Sequence, residues 1–154
     1  MKTAVTAKAV YVDPSALLKL YLHEAESRAM ARWRCGHEGP IPVTYHGHAE
    51  LTNGLCLAAF RGFLTDKALR EALQALEDDF EQGRCVHADV PWRATLRMAS
   101  DLSRAHTPAL GTRTLDVLHV ACAVQLECSH LLSFDGKQQA LAKKVGLRLV
   151  RLGS

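Results

Sequence analysis

The sequence of 154 residues lacks the features that define several common classes of protein. No apolar run reaches the roughly 18 to 20 residues that span a membrane, so we expect no transmembrane segment. Neither a Gly-x-x-x-x-Gly-Lys-Ser/Thr loop nor a Gly-x-Gly-x-x-Gly loop is present, which disfavours a bound nucleotide. The Gly-x-Ser-x-Gly elbow of serine hydrolases is also missing. Without repeats, low-complexity segments or linkers, the sequence predicts a single domain over residues 1–154.

Cysteine and net charge are both modest. The five cysteines form no Cys-x-x-Cys pair, and their odd number argues against a disulfide framework. Cys56 and Cys122 have apolar neighbours, among which a free thiol behaves as a small hydrophobe. The net charge of +3 is compatible with a nucleic-acid partner but does not establish one. The segment Met1–Lys8 has no long apolar stretch, so we expect no secretory signal and a cytoplasmic protein.

With 48% hydrophobic and 23% charged residues, the chain has the composition of a folded domain. Apolar runs at 9–12, 41–43, 85–88, 131–134 and 147–150 predict strands. Helices are predicted over 14–22, 24–34, 45–60, 66–82 with Thr65 as N-cap, 91–105, 137–145, and from Thr112 or Thr114 to 126. Strands that alternate with helices indicate an α/β fold with a central parallel sheet and helices on both faces.

Four acidic residues occupy informative places in this pattern. Asp13 and Asp135 each follow an apolar strand, and parallel strands bring such positions to one edge of the sheet, where α/β folds bind ligands. Glu50 and Asp116 lie within helices beside apolar neighbours. Taken singly, the first two are also typical of turns or helix caps, and the other two of charges favoured by the helix dipole.

Convergence of the four acids would require compensation of their charge. Two carboxylates 4 Å apart repel by about 4 kcal/mol at an effective dielectric constant near 20. Protonation or a divalent cation relieves that repulsion, and an all-oxygen ligand set favours Mg²⁺ or Mn²⁺. Such an ion polarises a phosphoryl oxygen and activates water, which is the chemistry of phosphodiester hydrolysis.

Four segments resemble the PIN-domain ribonucleases, and in particular the VapC toxins of prokaryotic type II toxin–antitoxin pairs. They are VYVDPSALLKLY at 10–21, HAELTNGL at 48–55, LGTRTLDVLHVA at 110–121 and LSFD at 132–135. Their order and spacing cover nearly the whole chain. The resemblance implies a three-layer α/β/α sandwich, with a central sheet that we expect to have four or five strands, and a metal-dependent endoribonuclease activity.

The resemblance also assigns site residues. It implies that the metal-binding and catalytic acids are Asp13, Glu50, Asp116 and Asp135. We expect Asp13 and Asp116 to hold the principal cation and Glu50 to complete its coordination shell. Asp135 is expected to bind a second ion or to orient water. The resemblance further implies supporting roles for Ser15, Asn53 and Ser133. Pro14 departs from the family pattern, where a small polar residue is common, but proline at a first helical position loses no hydrogen bond.

Partners follow from the same resemblance. VapC-like toxins are usually homodimers, each neutralised by a VapB-like antitoxin, and the expected substrate is single-stranded or loop RNA. Basic residues close to the acidic motifs or helix ends are candidates for phosphate contacts. These residues are Lys19, Arg61, Arg113 and Lys137. The alternative interpretation is that they are solvated surface charges.

Histidine and the remaining acids are assigned plainer roles. The pairs of His46 with His48 and of Cys35 with His37 do not give four ligands at zinc-finger spacing, so we expect no structural zinc. His119, three residues after Asp116, is expected to be a buried histidine rather than a metal ligand. The acidic segment 78–81 is expected to be a solvated face.

Two alternatives to a nuclease remain. A phosphatase of the haloacid-dehalogenase type also has an aspartate after its first strand, but it needs a second aspartate where this chain has Ser15. A PIN-like module that binds RNA or protein without catalysis would keep the fold, although the presence of all four acids argues against it.

Overall fold

Short strands alternate with helices through residues 9–153, which are the residues described by the computed structural model. The expectation about Met1–Lys8 lies outside this range. In chain order the elements are β1 (Val10–Val12), α1 (Pro14–Leu17), a 3-10 turn (Leu18–Leu20), α2 (Ser27–Gly36), β2 (Ile41–Thr44), α3 (Tyr45–Phe60), α4 (Asp66–Glu81), β3 (Cys85–Ala88), α5 (Trp92–Leu110), α6 (Thr114–Gln125), β4 (His130–Leu132), α7 (Gly136–Lys144) and β5 (Arg148–Leu149).

All the strand pairs are parallel, as predicted. One sheet has the order β1-β4-β5 and the other pairs β2 with β3. The two sheets lie side by side, because Cα atoms of β1 and β2 approach within 8 Å. Residues 9–153 therefore contain five strands, but these strands form two adjacent sheets rather than the single predicted one. β2 contains Pro42, which has no N–H group to donate to a ladder.

Helices cover both faces of the strands. Alternate residues of a strand point to opposite faces, and in β1 Val10 and Val12 pack into one core while Tyr11 packs into another. The first core also contains buried residues of α1 to α4, and the second contains residues of α6 and α7, with α5 packed against it. This arrangement is the three-layer α/β/α sandwich that the sequence predicted.

Several element ends differ from the prediction. Regular α-helix ends at Leu17 rather than at 22, and a 3-10 turn follows. α5 runs past Ala105 to Leu110 with Pro108 in its last turn, and Gly111 ends it in the left-handed conformation at φ 67°. The N-cap residue of α6 is Arg113, so the prediction of Thr112 or Thr114 was wrong.

The acidic segment 78–81 is not uniformly solvated, because Asp79 is only 3% exposed. Its carboxylate accepts hydrogen bonds from Tyr21 at 2.5 Å and lies 2.6 Å from both Arg34 and Arg84. Burial alone would raise the pKa of Asp79, but the hydrogen bonds from these three side chains outweigh burial and lower that pKa. Asp79 therefore connects α4 to α2 and to the segment before β3 through the ion pairs of its buried carboxylate.

All five cysteines are free thiols. Cys122 is buried as expected, whereas Cys56 is exposed on α3, so the prediction of an apolar environment for it was wrong. Burial raises the pKa of the Cys122 thiol to about 11, which makes it a poor nucleophile. Among the helices of residues 9–153, none combines the length and the apolar character needed to cross a bilayer.

Candidate active site

The four predicted acids line one cleft at the carboxyl ends of β1 and β4. This acidic cleft has a volume of about 500 Å³, and its lining residues are Asp13, Ser15, Glu50, Arg113, Thr114, Leu115, Asp116 and Asp135. The acids come from four separate elements: the end of β1, the middle of α3, the first turn of α6 and the N-cap of α7. The cleft is therefore a tertiary construction in which widely separated carboxylates share one opening.

Asp13 is the most enclosed of the four acids, with 6% of its surface exposed. Its Oδ2 accepts hydrogen bonds from the backbone N–H of Ser15 at 3.1 Å and from the Ser15 hydroxyl, so it also caps α1. Its Oδ1 accepts a bond from Gln138 Nε2 at 3.0 Å. These donors fix the carboxylate and place the Ser15 hydroxyl beside it, while the supporting role expected for Ser15 stays a prediction.

Glu50 is held by a buried histidine. Its Oε1 lies 2.8 Å from His119 Nε2, and Nδ1 of the same ring lies 2.7 Å from the hydroxyl of Tyr11. His119 is 1% exposed, which confirms that it is a buried histidine with partners. Because a carboxylate only accepts, the neutral ring donates from Nε2 and accepts from Tyr11 at Nδ1. The chain Tyr11–His119–Glu50 joins the core to the cleft.

Asp116 and Asp135 occupy the more open side. Asp116 accepts a long hydrogen bond of 3.4 Å from the backbone N–H of Arg113. Burial, and then the negative charges of Asp135 and Asp13, raise the pKa of Asp116. Asp135 is exposed and caps α7 by accepting from the Gln138 N–H at 2.8 Å, while Ser133 Oγ accepts from the Asp135 N–H at 3.1 Å.

The four carboxylates share the cleft but are not clustered as tightly as the ligands of one fully coordinated ion. Among residues 9–153, the trio of potential metal ligands found within 4.8 Å of one another is His46, Glu50 and His119, and no trio of the four acids reaches that spacing. Wider spacing suits Mg²⁺, which usually keeps several of its waters and binds through one or two carboxylates. The oxygen donors of the cleft thus fit a hydrated hard cation.

Gln138 and His46 are site residues that the sequence reasoning missed. Gln138 is fully buried and donates to both Asp13 and the Asp116 carbonyl, at 3.0 and 3.2 Å. The ring of His46 stacks on His119 with centroids 4.7 Å apart. Burial, together with the nearby His119, lowers the pKa of His46, against an opposing effect of Glu50. The available signal was the i,i+4 spacing of His46 and Glu50, which places both on one helix face.

The basic residues that were predicted to contact phosphate lie at different distances from the acidic cleft. Arg113 lines the acidic cleft, and the Lys137 ammonium lies 3.5 Å from the Gly111 carbonyl on the neighbouring loop. In contrast, Lys19 forms ion pairs with Glu24 at 3.0 Å and Glu26 at 2.8 Å. Arg113 therefore faces the cleft, whereas Lys19 is paired with two acids, and the phosphate contacts predicted for these basic residues stay predictions.

Arg61 and Asn53 stand apart from the cleft. Arg61 follows the last residue of α3 and is exposed. Asn53 is also exposed, one turn after Glu50, and neither residue is among those that line the acidic cleft. Their predicted roles at the site stay predictions.

Comparison with solved structures defines the class of fold. VapC20 of Mycobacterium tuberculosis, described as a sarcin-ricin loop cleaving toxin, superposes with a TM-score of 0.68 at 17% identity, over 93% of this chain and 99% of VapC20. FitAcB of Neisseria gonorrhoeae gives 0.62 at 16% identity, over 92% and 96% of the two chains. The fold is therefore that of the VapC-type PIN domains, as the four sequence motifs indicated.

Sequence comparison gives a relative of the same kind. Ribonuclease VapC46 of Mycobacterium tuberculosis is 26% identical over 144 residues, which span 92% of this chain and 96% of the relative. No protein-family model matches the sequence. The resemblance to VapC proteins thus extends along nearly the full length of both chains.

Proposed function

We propose that this protein is a metal-dependent endoribonuclease, the toxin of a VapBC-type toxin–antitoxin pair, and that it hydrolyses RNA phosphodiester bonds in the acidic cleft. The observation that supports this proposal most directly is the shared cleft of Asp13, Glu50, Asp116 and Asp135. The similarity to ribonuclease VapC46 gives independent support. Such a toxin would act in the cytoplasm, on single-stranded or loop RNA.

The four acids have distinct roles in the proposal. Asp13 and Asp116 would hold the principal Mg²⁺ or Mn²⁺, Glu50 would complete the shell directly or through water, and Asp135 would bind a second ion or orient the attacking water. When bound, the ion would polarise the scissile phosphate and lower the pKa of the attacking water.

The remaining residues of the site would act by positioning. Gln138 holds the Asp13 carboxylate, and His119 holds that of Glu50, so neither acid can turn freely away from the opening. The hydroxyls of Ser15 and Ser133 sit against Asp13 and the Asp135 backbone. Arg113 at the lining would attract the RNA backbone to a cleft that is otherwise negative.

Cleavage of a labelled RNA by the full-length chain tests the proposal. The chelator-treated protein should be inactive, and Mg²⁺ or Mn²⁺ should restore cleavage. Asp116→Asn should abolish it, while Asp101→Asn, at an exposed acid on α5, should not. RNA binding without cleavage at any metal concentration would contradict the proposal and favour the non-catalytic module.

The proposed partners require separate experiments. Co-expression with a VapB-like antitoxin should abolish toxicity, and the two chains should co-purify. We also propose a homodimer, because large apolar side chains such as Phe60 and Phe63 are 88% and 77% exposed. Light scattering of the purified chain should give the mass of two chains, and the mass of one would contradict the dimer.

A further inference from the structure

We propose that His46, Glu50 and His119 form a second metal site, for a borderline divalent ion such as Zn²⁺, which shares Glu50 with the acidic cleft. One donor atom from each residue lies within 4.8 Å of the others. Zn–N and Zn–O bonds are about 2.0–2.2 Å long, so ligands of one ion are at most about 4.3 Å apart. A small rotation of the side chains would therefore bring the three donors to one ion.

The state of His46 is an independent observation that points to a ligand. Both ring nitrogens are buried, and within residues 9–153 neither has a hydrogen-bond partner. The ring is held in place by stacking on His119 and by an edge contact with Trp92 at 5.0 Å between centroids. Buried polar atoms are normally satisfied, and a metal ion beside Glu50 would supply the missing partner.

His119 is already oriented as a ligand. Metal-binding histidines usually hydrogen-bond through the other ring nitrogen, which fixes the ring, and here Tyr11 contacts Nδ1 while Nε2 points at Glu50. Ligation would move the ring proton from Nε2 to Nδ1, which would then donate to the Tyr11 oxygen.

The donor chemistry separates this site from the acidic cleft. Two imidazoles and one carboxylate suit Zn²⁺ and other late first-row ions, whereas the oxygen donors of the cleft suit Mg²⁺ or Mn²⁺. The spacing of the three residues is unlike a zinc finger, because the site is assembled by contact between α3 and α6. One consequence rests on the proposed function: since Glu50 belongs to both sets, Zn²⁺ would withdraw it from the cleft and slow RNA cleavage.

Metal titration without RNA tests the site. The chelator-treated full-length chain is titrated with Zn²⁺ alone by calorimetry and with Co²⁺ alone by visible absorption. We expect one ion to bind at this site, and bound Co²⁺ to give the d–d absorption that is typical of a low coordination number. Both His46→Ala and the size-conserving His46→Gln should weaken Zn²⁺ binding at least tenfold and remove the Co²⁺ spectrum.

Two controls locate the ion. His48→Ala removes a histidine of the same helix that bonds His87 and Glu77 instead, and it should change Zn²⁺ affinity less than twofold. Asp135→Asn changes the acidic cleft without touching the trio and should also retain the affinity. Circular dichroism establishes that each variant is folded, and if His46→Ala is not, His46→Gln decides.

Three results would overturn the proposal: no Zn²⁺ binding by the unmodified chain, unchanged affinity in the folded His46 variants, or an equal loss in His48→Ala or Asp135→Asn. Because the titration contains no RNA, it is independent of nuclease activity. An inactive protein that still binds Zn²⁺ through His46 would refute the proposed function alone, and an active one without the Zn²⁺ site would refute this inference alone.

Discussion

Gln138 reaches from the first turn of α7 to the end of β1, where its side-chain amide donates to Asp13 Oδ1 at 3.0 Å. The same nitrogen lies 3.2 Å from the carbonyl of Asp116. A neutral, fully buried amide thus connects two acids of the cleft and contributes no charge to it. The position of Asp13 depends on this contact as well as on its own strand.

Replacement of Gln138 by leucine should destabilise the protein and impair RNA cleavage together. The buried carboxylate of Asp13 would lose a donor, at a cost of about 1–3 kcal/mol in the free energy of unfolding. Urea denaturation at neutral pH measures this loss. Lys143→Ala, at an exposed position on the same helix, should change stability by less than about 0.5 kcal/mol. Equal stability of the leucine variant and the parent would contradict the role given to the amide.

Asp116→Asn should stabilise the metal-free protein above about pH 4. Burial and the neighbouring acids Asp135 and Asp13 raise the pKa of Asp116 in the folded state. An acid whose pKa is raised by folding loses stability as the pH rises above its ordinary value of about 3.9. Melting temperatures in EDTA should therefore be higher for the asparagine variant at pH 7, and the difference should vanish below pH 4. A lower melting temperature at pH 7 would contradict this account.

Asp79→Asn should have the opposite pH dependence. Hydrogen bonds from the arginines and Tyr21 lower the pKa of Asp79, in spite of burial. The stabilisation that ionised Asp79 gives to the folded state is therefore present above about pH 4. It is lost as the pH falls through the lowered pKa that Asp79 has in the folded protein. At pH 7 the variant should lose about 3 kcal/mol of unfolding free energy, since the arginines lose their anion. Urea titrations at several pH values measure both effects.

The neighbouring acid provides the control for that experiment. Asp78 is partly exposed, and its carboxylate accepts a hydrogen bond of 2.8 Å from the Gln74 side chain. Asp78→Asn should change stability by less than about 0.5 kcal/mol at any pH. Similar losses of unfolding free energy in the two variants would contradict the stabilising role given to the ion pairs of the buried Asp79 carboxylate.

Thr65→Ala should weaken α4 by removing its cap. The Thr65 hydroxyl accepts the Ala68 N–H at 3.1 Å, which satisfies one of the free donors at the start of the helix. Loss of such a cap costs about 1 kcal/mol. Thr65→Ser keeps the oxygen and should retain most of the stability in thermal unfolding. If serine and alanine prove equally destabilising, the cap is not the cause.

Elements with strong local signals were predicted well. The helix over 45–60, the strand over 85–88 and the Thr65 cap all appear as expected, because each depends on neighbours in sequence. The extension of α5 through Pro108 was missed because a proline inside a helix loses a hydrogen bond and usually ends the helix, whereas here the helix continues to Leu110. The burial of Asp79 was missed because its partner Arg34 comes from a distant helix.

The candidate site shows the same division. The meeting of the four acids was predictable, since parallel strands end at one edge of the sheet and the helices carrying Glu50 and Asp116 start there. The partners that hold those acids were not predictable. His119 and Glu50 are 69 residues apart, and Gln138 and Asp13 are 125 apart, so only packing of the two helical layers brings each pair together.

Asp13 and Asp135 each begin a helix as well as facing the opening. Asparagine starts helices as well as aspartate does, whereas alanine does not. In a genetic selection for cells that survive expression of the proposed toxin, we therefore expect to recover asparagine at these two positions. Such variants should be folded and inactive, and they should still bind the antitoxin. Alanine at the same positions would also remove the helix cap, at a cost of about 1 kcal/mol, so the harmlessness of such a variant would combine lost chemistry with lost stability.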